Sequence, residues 1–70
     1  MDWNAIVAAN VRKLRLERGL TQEQLAHDAG IALTYLGGIE RGRRNPSVDV
    51  LGRLASALRC YPRDLFDQLD

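Results

Sequence analysis

Residues 21–41, TQEQLAHDAGIALTYLGGIER, carry the pattern on which the rest of the chain depends. Thr21 is a favourable N-cap, and Gln24 three positions on completes a capping box. Leu25, Ala26 and Ala29 follow as an apolar stripe at helical spacing. Gly30 closes that helix where a left-handed residue is wanted, a conformation glycine adopts without a Cβ penalty. Ile31 restarts the apolar pattern, and Leu36 and Ile39 carry it along a second short helix. Ala26 is small enough at the crossing point to let the two helices approach closely.

A bent helix pair this short cannot bury its own apolar face, so the chain before and after it must pack behind. The opposite side is then free to meet a partner. A helix-turn-helix that lays its second helix in the major groove of DNA has this layout.

Upstream, a helix is expected from about Asp2 or Asn4 to Arg18, with Val7, Val11 and Leu14 as its buried stripe and Ile6 at the edge. Gly19 stops it, and Leu20 turns back into the core. Arg12, Lys13, Arg15 and Arg18 crowd its second half, where positive charge suits the negative end of the helix dipole. That cluster reads either as a solvated face or as a phosphate-contacting one. Arg15 adjoins Leu14 on the core side, and its natural partner is Glu40 at the end of the third helix. A charge-assisted pair there ties the first helix to the helix-turn-helix, the alternative being two free surface charges.

Downstream, residues 41–45, RGRRN, place three arginines in five positions, and Pro46 prevents the third helix from continuing. Asn45 or Ser47 caps a fourth helix whose wide apolar face comprises Val50, Leu51, Leu54, Ala55 and Leu58. A last helix is expected over about residues 62–69, with Leu65, Phe66 and Leu69 at helical spacing. Tyr61 is a poor cap for it. Five helical segments and no strand alternation define an all-α chain, a compact bundle of five helices.

Seventy residues make one domain at most, near the size where a single core gives marginal stability. The hydrophobic fraction of 46% and the charged fraction of 27% are those of an ordinary soluble protein. With no apolar run long enough to span a bilayer and no signal-peptide pattern, no membrane association and a cytoplasmic location are expected. One cysteine, Cys60, rules out an internal disulfide, and one histidine, His27, leaves no zinc constellation. The net charge of +1 hides an asymmetry: residues 1–62 hold nine basic and six acidic side chains, whereas residues 63–70 hold Arg63 against Asp64, Asp67 and Asp70. An acidic tail belongs away from a polyanion.

The motifs VRKLRLERGLTQEQLA, AG and TYLGGIERGRRNPSVDVLGRLASAL, in that order and spacing, resemble the lambda-repressor/Cro-like helix-turn-helix family, also called the XRE family, over about residues 7–66. TYLGGIERGRRNPS is most similar to the controller proteins of restriction-modification systems and to general single-domain regulators. The resemblance implies a five-helix bundle whose second and third helices bind double-stranded DNA, often as a homodimer on a palindromic operator. It implies that Gln22 hydrogen-bonds a phosphate and buttresses the recognition helix. Leu33, Thr34 and Tyr35 match the first turn of that helix, where base edges are read. Arg41, Arg43, Arg44 and Asn45 match the loop that grips the DNA backbone, and Arg15 with Glu40 matches a structural ion pair. Two departures stand out. Leu33 replaces a hydrogen-bonding reader, and Arg59 stands where a glycine usually ends the fourth helix.

Base contact is therefore assigned to Leu33, Thr34 and Gly38, and backbone contact to Gln22, Tyr35, Arg41, Arg43, Arg44 and Asn45. Gly37 and Gly38 each cost about 1 kcal/mol relative to alanine inside a helix. Their bare backbone permits either close approach to DNA or close helix packing. Leu65, Phe66 and Leu69 form the candidate dimer contact, with Phe66 equally readable as core. Trp3 covers an open end of the bundle, His27 faces solvent, and Cys60 is a small buried hydrophobe. These residues describe a homodimeric DNA-binding transcription regulator with no cofactor, metal or small-molecule effector. The alternative is a protein-binding module of the same fold, as in an antitoxin. No nucleophile-base pair, metal set or phosphate loop points to an enzyme.

Overall fold

The structure is a computed structural model and describes residues 1–68. Four α-helices, α1 (Trp3–Glu17), α2 (Gln22–Ala29), α3 (Leu33–Glu40) and α4 (Val48–Leu58), are followed by a 3-10 segment, Pro62–Phe66. No strand occurs among the described residues.

Local chemistry sets most of the boundaries. The Asp2 carboxylate accepts a hydrogen bond from the Ala5 amide at 3.2 Å and starts α1. At α2 the Thr21 hydroxyl accepts from the Gln24 amide at 3.0 Å, and the Gln24 side chain accepts from the Thr21 amide at 2.9 Å. The capping box read from the sequence is thus present in both halves. Gly30 ends α2 at φ 69°, and the Ile31 amide then donates back to the Ala26 carbonyl at 3.0 Å. Of the two caps open for α4, Ser47 is the one used, its hydroxyl accepting from Val50 at 3.1 Å. Arg59 ends α4 in the left-handed region at φ 56°, so the corner keeps the geometry of a glycine without having one.

Val7 and Val11 of α1, Leu25, Ala26 and Ala29 of α2, Leu36 and Ile39 of α3, and Leu54, Ala55 and Leu58 of α4 form one buried cluster with Leu65. α2 packs against both α3 and α4, while α1 packs against α3 and the C-terminal segment. This is the support that the helix pair lacks by itself. Burying each of these leucines contributes about 1.5–3 kcal/mol.

The C-terminal segment departs from the expected helix over 62–69. It is a five-residue 3-10 turn that ends in extended backbone at Asp67, and Leu69 lies outside the described residues. Two contacts explain the change. The Tyr61 amide donates to the Asp64 carboxylate at 2.9 Å, closing a tight turn. The carbonyls of Leu65 and Asp67 accept from the Asn10 side chain at 3.0 and 2.7 Å, rather than from a continuing helix. With three residues per turn, Leu65 and Phe66 point in directions about 120° apart. Leu65 is fully buried and Phe66 is exposed. Leu65 therefore belongs to the core, which corrects its assignment to a dimer surface.

Candidate nucleic-acid interface

The rear of α3 is fixed by a small polar cluster. Arg15 Nε and Nη2 donate to the two carboxylate oxygens of Glu40 at 2.7 and 3.1 Å. Arg15 Nη1 donates to the Leu20 carbonyl at 2.9 Å. The Gln22 amide nitrogen donates to Glu40 at 3.0 Å. The side chains of Arg15 and Glu40 are 11% and 4% exposed, so this is a nearly buried, bidentate pair. It joins α1, the start of α2 and the end of α3. Gln22 does buttress the recognition helix, through Glu40, and one of its amide hydrogens stays free for an outside acceptor.

The front of α3 is open at its first turn. Leu33 is 44% exposed, Thr34 is exposed, and Tyr35 is half-buried against the core. Ala32 provides no side-chain cap, so the amides of this turn lack the usual oxygen partner. Arg41, Arg43, Arg44 and Asn45 follow the helix, all exposed.

Gly37 and Gly38 are buried, and what covers them is neither another helix nor open space. A Cβ on Gly37 would meet Arg41 Nη1 at 3.2 Å, and a Cβ on Gly38 would meet Arg44 Cγ at 2.6 Å. The two glycines make a notch that the arginine side chains of the following loop fill. Arg44 continues over the ring of Tyr35, its guanidinium carbon 5.8 Å from the centroid, within cation–π range. Gly38 lies beneath Arg44, which corrects its assignment as an exposed base contact.

The basic cluster of α1 divides into separate roles. Arg15 is consumed by Glu40, and Arg18 donates from Nε to the Leu58 carbonyl at 2.9 Å, joining the ends of α1 and α4. Lys13 approaches Glu17 at 4.0 Å on the surface. Arg12 is exposed. His27 is exposed beside Asp28, as read from the sequence. Cys60 is half-buried, and burial, reinforced by Asp64 and partly offset by Arg18, raises its thiol pKa.

Asn10 was missed in reading the sequence. It is a buried polar residue, and its amide holds the C-terminal segment on α1. Its position three residues after Val7, inside the buried stripe, was the available signal: a polar side chain there must find partners.

Asp64 and Asp67 lie on or beside a segment packed against α1 and α4. Among the described residues, no helix is long and apolar enough to cross a membrane, and no group of three or more His, Cys, Asp or Glu could hold a metal ion.

A buttressed short helix with an open first turn, followed at once by three arginines, defines a helix-turn-helix DNA-binding domain. Residues 11–65 match the helix-turn-helix family HTH_3, and the chain belongs to that family. It is 48% identical over 58 residues to an HTH-type transcriptional regulator, y4dJ, of Sinorhizobium fredii, covering 83% of this chain and 75% of that one. It is 47% identical over 58 residues to the control protein C.SmaI of Serratia marcescens, covering 83% and 69%. Among solved structures, the restriction-modification controller protein C.AhdI of Aeromonas hydrophila superposes with a TM-score of 0.88 at 43% identity, covering 90% of this chain and 96% of that one.

Proposed function

We propose that the protein is a sequence-specific transcriptional regulator that binds a palindromic operator as a homodimer, with α3 in the major groove. The observation that carries this reading is the arrangement of α3. Its rear is locked by Arg15, Gln22 and Glu40, its first turn is exposed, and Arg41, Arg43 and Arg44 follow within four residues. Leu33 offers its side chain to a thymine methyl, and Thr34 offers a hydroxyl to a base edge. Arg41, Arg43, Asn45 and the free hydrogen of Gln22 meet phosphates, which sets affinity and register. The similarity to the controller proteins supports, as the narrower role, control of the genes of a restriction-modification system in the cytoplasm.

In a two-fold dimer the two α3 helices lie about one DNA turn apart, roughly 34 Å. An exposed aromatic pair supports self-association. Trp3 and Phe66 are 48% and 40% exposed, with centroids 6.1 Å apart in an edge-on arrangement. Beside them Ala5, Ile6, Ala9 and Asp67 line a shallow, mostly apolar groove.

Selection of bound sequences from random duplex DNA, followed by titration of the selected site at two salt concentrations, tests the reading. The expected result is an inverted repeat bound with an affinity that falls steeply with salt, log K against log salt having a slope of about −0.9 per phosphate contact. Recovery of no preferred sequence at low salt would refute it.

A further inference from the structure

We infer that the cleft between the ends of α1 and α4 is a binding site for a small organic acid, whose carboxylate is held by Arg18 and Arg59. The inference is independent of how α3 meets DNA. The cleft has a volume of about 330 Å³ and is lined by Arg18, Leu20, Asp28, Ala57 and Arg59. That size lies at the lower end of the range for small-molecule sites, about 300–1,000 Å³. The lining comes from the end of α1, the turn after it, α2 and the end of α4, which is why no small-molecule effector is expected from the sequence.

Two observations single out this cleft. Arg59 holds φ 56°, a strained conformation for an L-residue that glycine adopts freely. The corner itself needs no side chain, because the Arg59 amide makes the cap by donating to the Ala55 and Ser56 carbonyls. What the strained position adds is a guanidinium in the lining of the cleft, and none of the ion pairs among the described residues uses it. Arg18 is the second. Its Nε donates to the Leu58 carbonyl at 2.9 Å, which tethers this guanidinium to α4 one residue before Arg59. Its Nη1 stays 3.7 Å from the Glu17 carboxylate, too far for a hydrogen bond, so the outer N–H groups of a fixed fork remain available.

Two guanidinium groups against the one carboxylate of Asp28 leave the lining net positive. A planar, singly charged carboxylate matches the guanidinium fork through paired hydrogen bonds. A phosphate dianion gains from the same fork but is repelled more strongly by Asp28 and Glu17. Leu20 and Ala57, both half-buried, offer an apolar wall to a short hydrocarbon chain. Size, charge and lining together select a short-chain carboxylic acid.

The test is an NMR titration of the isotope-labelled full chain with sodium butyrate, at an ionic strength held constant with sodium chloride. The expected result is saturable shifts at the amides of residues 18–20 and 57–60, with half-saturation below about 10 mM. Tm should rise over the same range of concentration. Arg59→Gly relieves the backbone strain, so it should fold, and it should weaken butyrate binding by about tenfold or more. Arg59→Lys retains the charge but not the fork, and should weaken it several-fold. Shifts that grow without saturating, or that sodium chloride alone reproduces, overturn the site. Unchanged affinity in Arg59→Gly overturns the part given to Arg59, and if that variant proves unfolded, unchanged affinity in Arg59→Lys does so instead. Tighter binding of sodium phosphate than of butyrate overturns the assignment to a carboxylate.

Discussion

Arg15 and Glu40, 25 residues apart in sequence, meet through two hydrogen bonds of 2.7 and 3.1 Å in a nearly buried site. Neither lies on the exposed front of α3, yet together they fix the angle at which α3 leaves the body of the protein. Removing one partner strands the other charge, at a cost of roughly 3–5 kcal/mol. A chain of this size has a total stability of roughly 4–10 kcal/mol. Glu40→Ala is therefore expected to lose about a third or more of that stability, and to unfold at 25 °C only if the total lies at the low end of the range. Gln22→Ala, which removes one hydrogen bond and leaves the ion pair, should cost only about 1–2 kcal/mol. Urea unfolding of the two variants checks the order, and equal losses would show that the pair contributes little beyond the amide.

Asn10 exerts a second long-range constraint. Its amide donates to the carbonyls of Leu65 and Asp67, 55 and 57 positions away. Asn10→Ala leaves those acceptors without the donor and opens a small void, at roughly 1–3 kcal/mol. The loss should be local as well as global. Hydrogen exchange is expected to accelerate at residues 61–66 beyond what the drop in overall stability accounts for. Uniform acceleration across all helices would place the contribution of Asn10 elsewhere.

These two contacts separate what the sequence reveals from what it conceals. Thr21 with Gln24, the stop at Gly30 and the cap at Ser47 obey rules acting over three or four residues, and all were legible, the last as one of two candidates with Asn45. Arg15 with Glu40 was legible too, because each sits beside a core position on a recognisable helix. The C-terminal segment was not. Leu65, Phe66 and Leu69 satisfy an α-helical pattern, but Asn10 takes the carbonyls of Leu65 and Asp67, and no local rule predicts that. The coverage of Gly37 and Gly38 by Arg41 and Arg44 was likewise hidden, because glycine signals available space and not its occupant.

Arg59 carries a removable strain. It holds φ 56° at the end of α4, a region that costs an L-residue about 1–2 kcal/mol. Glycine relieves that cost and returns part of it through the greater entropy of the unfolded chain, about 0.4–1 kcal/mol. Arg59→Gly is expected to stabilise the protein by roughly 0.5–1 kcal/mol, and so to raise Tm by about 2–8 °C. Thermal unfolding by circular dichroism measures this. An unchanged or lower Tm would mean that contacts of the Arg59 side chain outweigh the strain.

Cys60 gives a pH dependence of definite sign. Burial first, then Asp64, raises its thiol pKa above the ordinary value of 9.0, against a smaller opposing effect of Arg18. The folded state therefore holds the proton more tightly than the unfolded chain does. The associated stability is fully present below the unfolded pKa and is lost as pH rises through the folded one. Cys60→Ala should remove that contribution, giving a flatter fall in stability above about pH 9. At neutral pH the thiol should alkylate more slowly in the folded protein than in urea, because less of it is thiolate. Equal rates in both states would show that Cys60 is open to solvent.

Phe66 and Leu65 are adjacent in sequence and opposite in role, and this gives the dimer proposal a discriminating test. Phe66 is partly exposed and meets Trp3 edge-on, whereas Leu65 is fully enclosed by the core. Phe66→Asp places a charge on the proposed contact without disturbing the interior, and the same holds for Trp3→Asp on the facing helix. Both variants should remain folded, sediment as monomers where the unmodified protein sediments as a dimer, and bind the full inverted repeat with roughly the affinity of a single half-site. Leu65→Asp buries an unpaired carboxylate and should instead unfold the chain, at several kcal/mol. Dimerisation and cooperative operator binding that survive both Phe66→Asp and Trp3→Asp would move the interface off this aromatic pair. The exposed apolar side of α1, at Ala9 and Leu16, would then be the next surface to change.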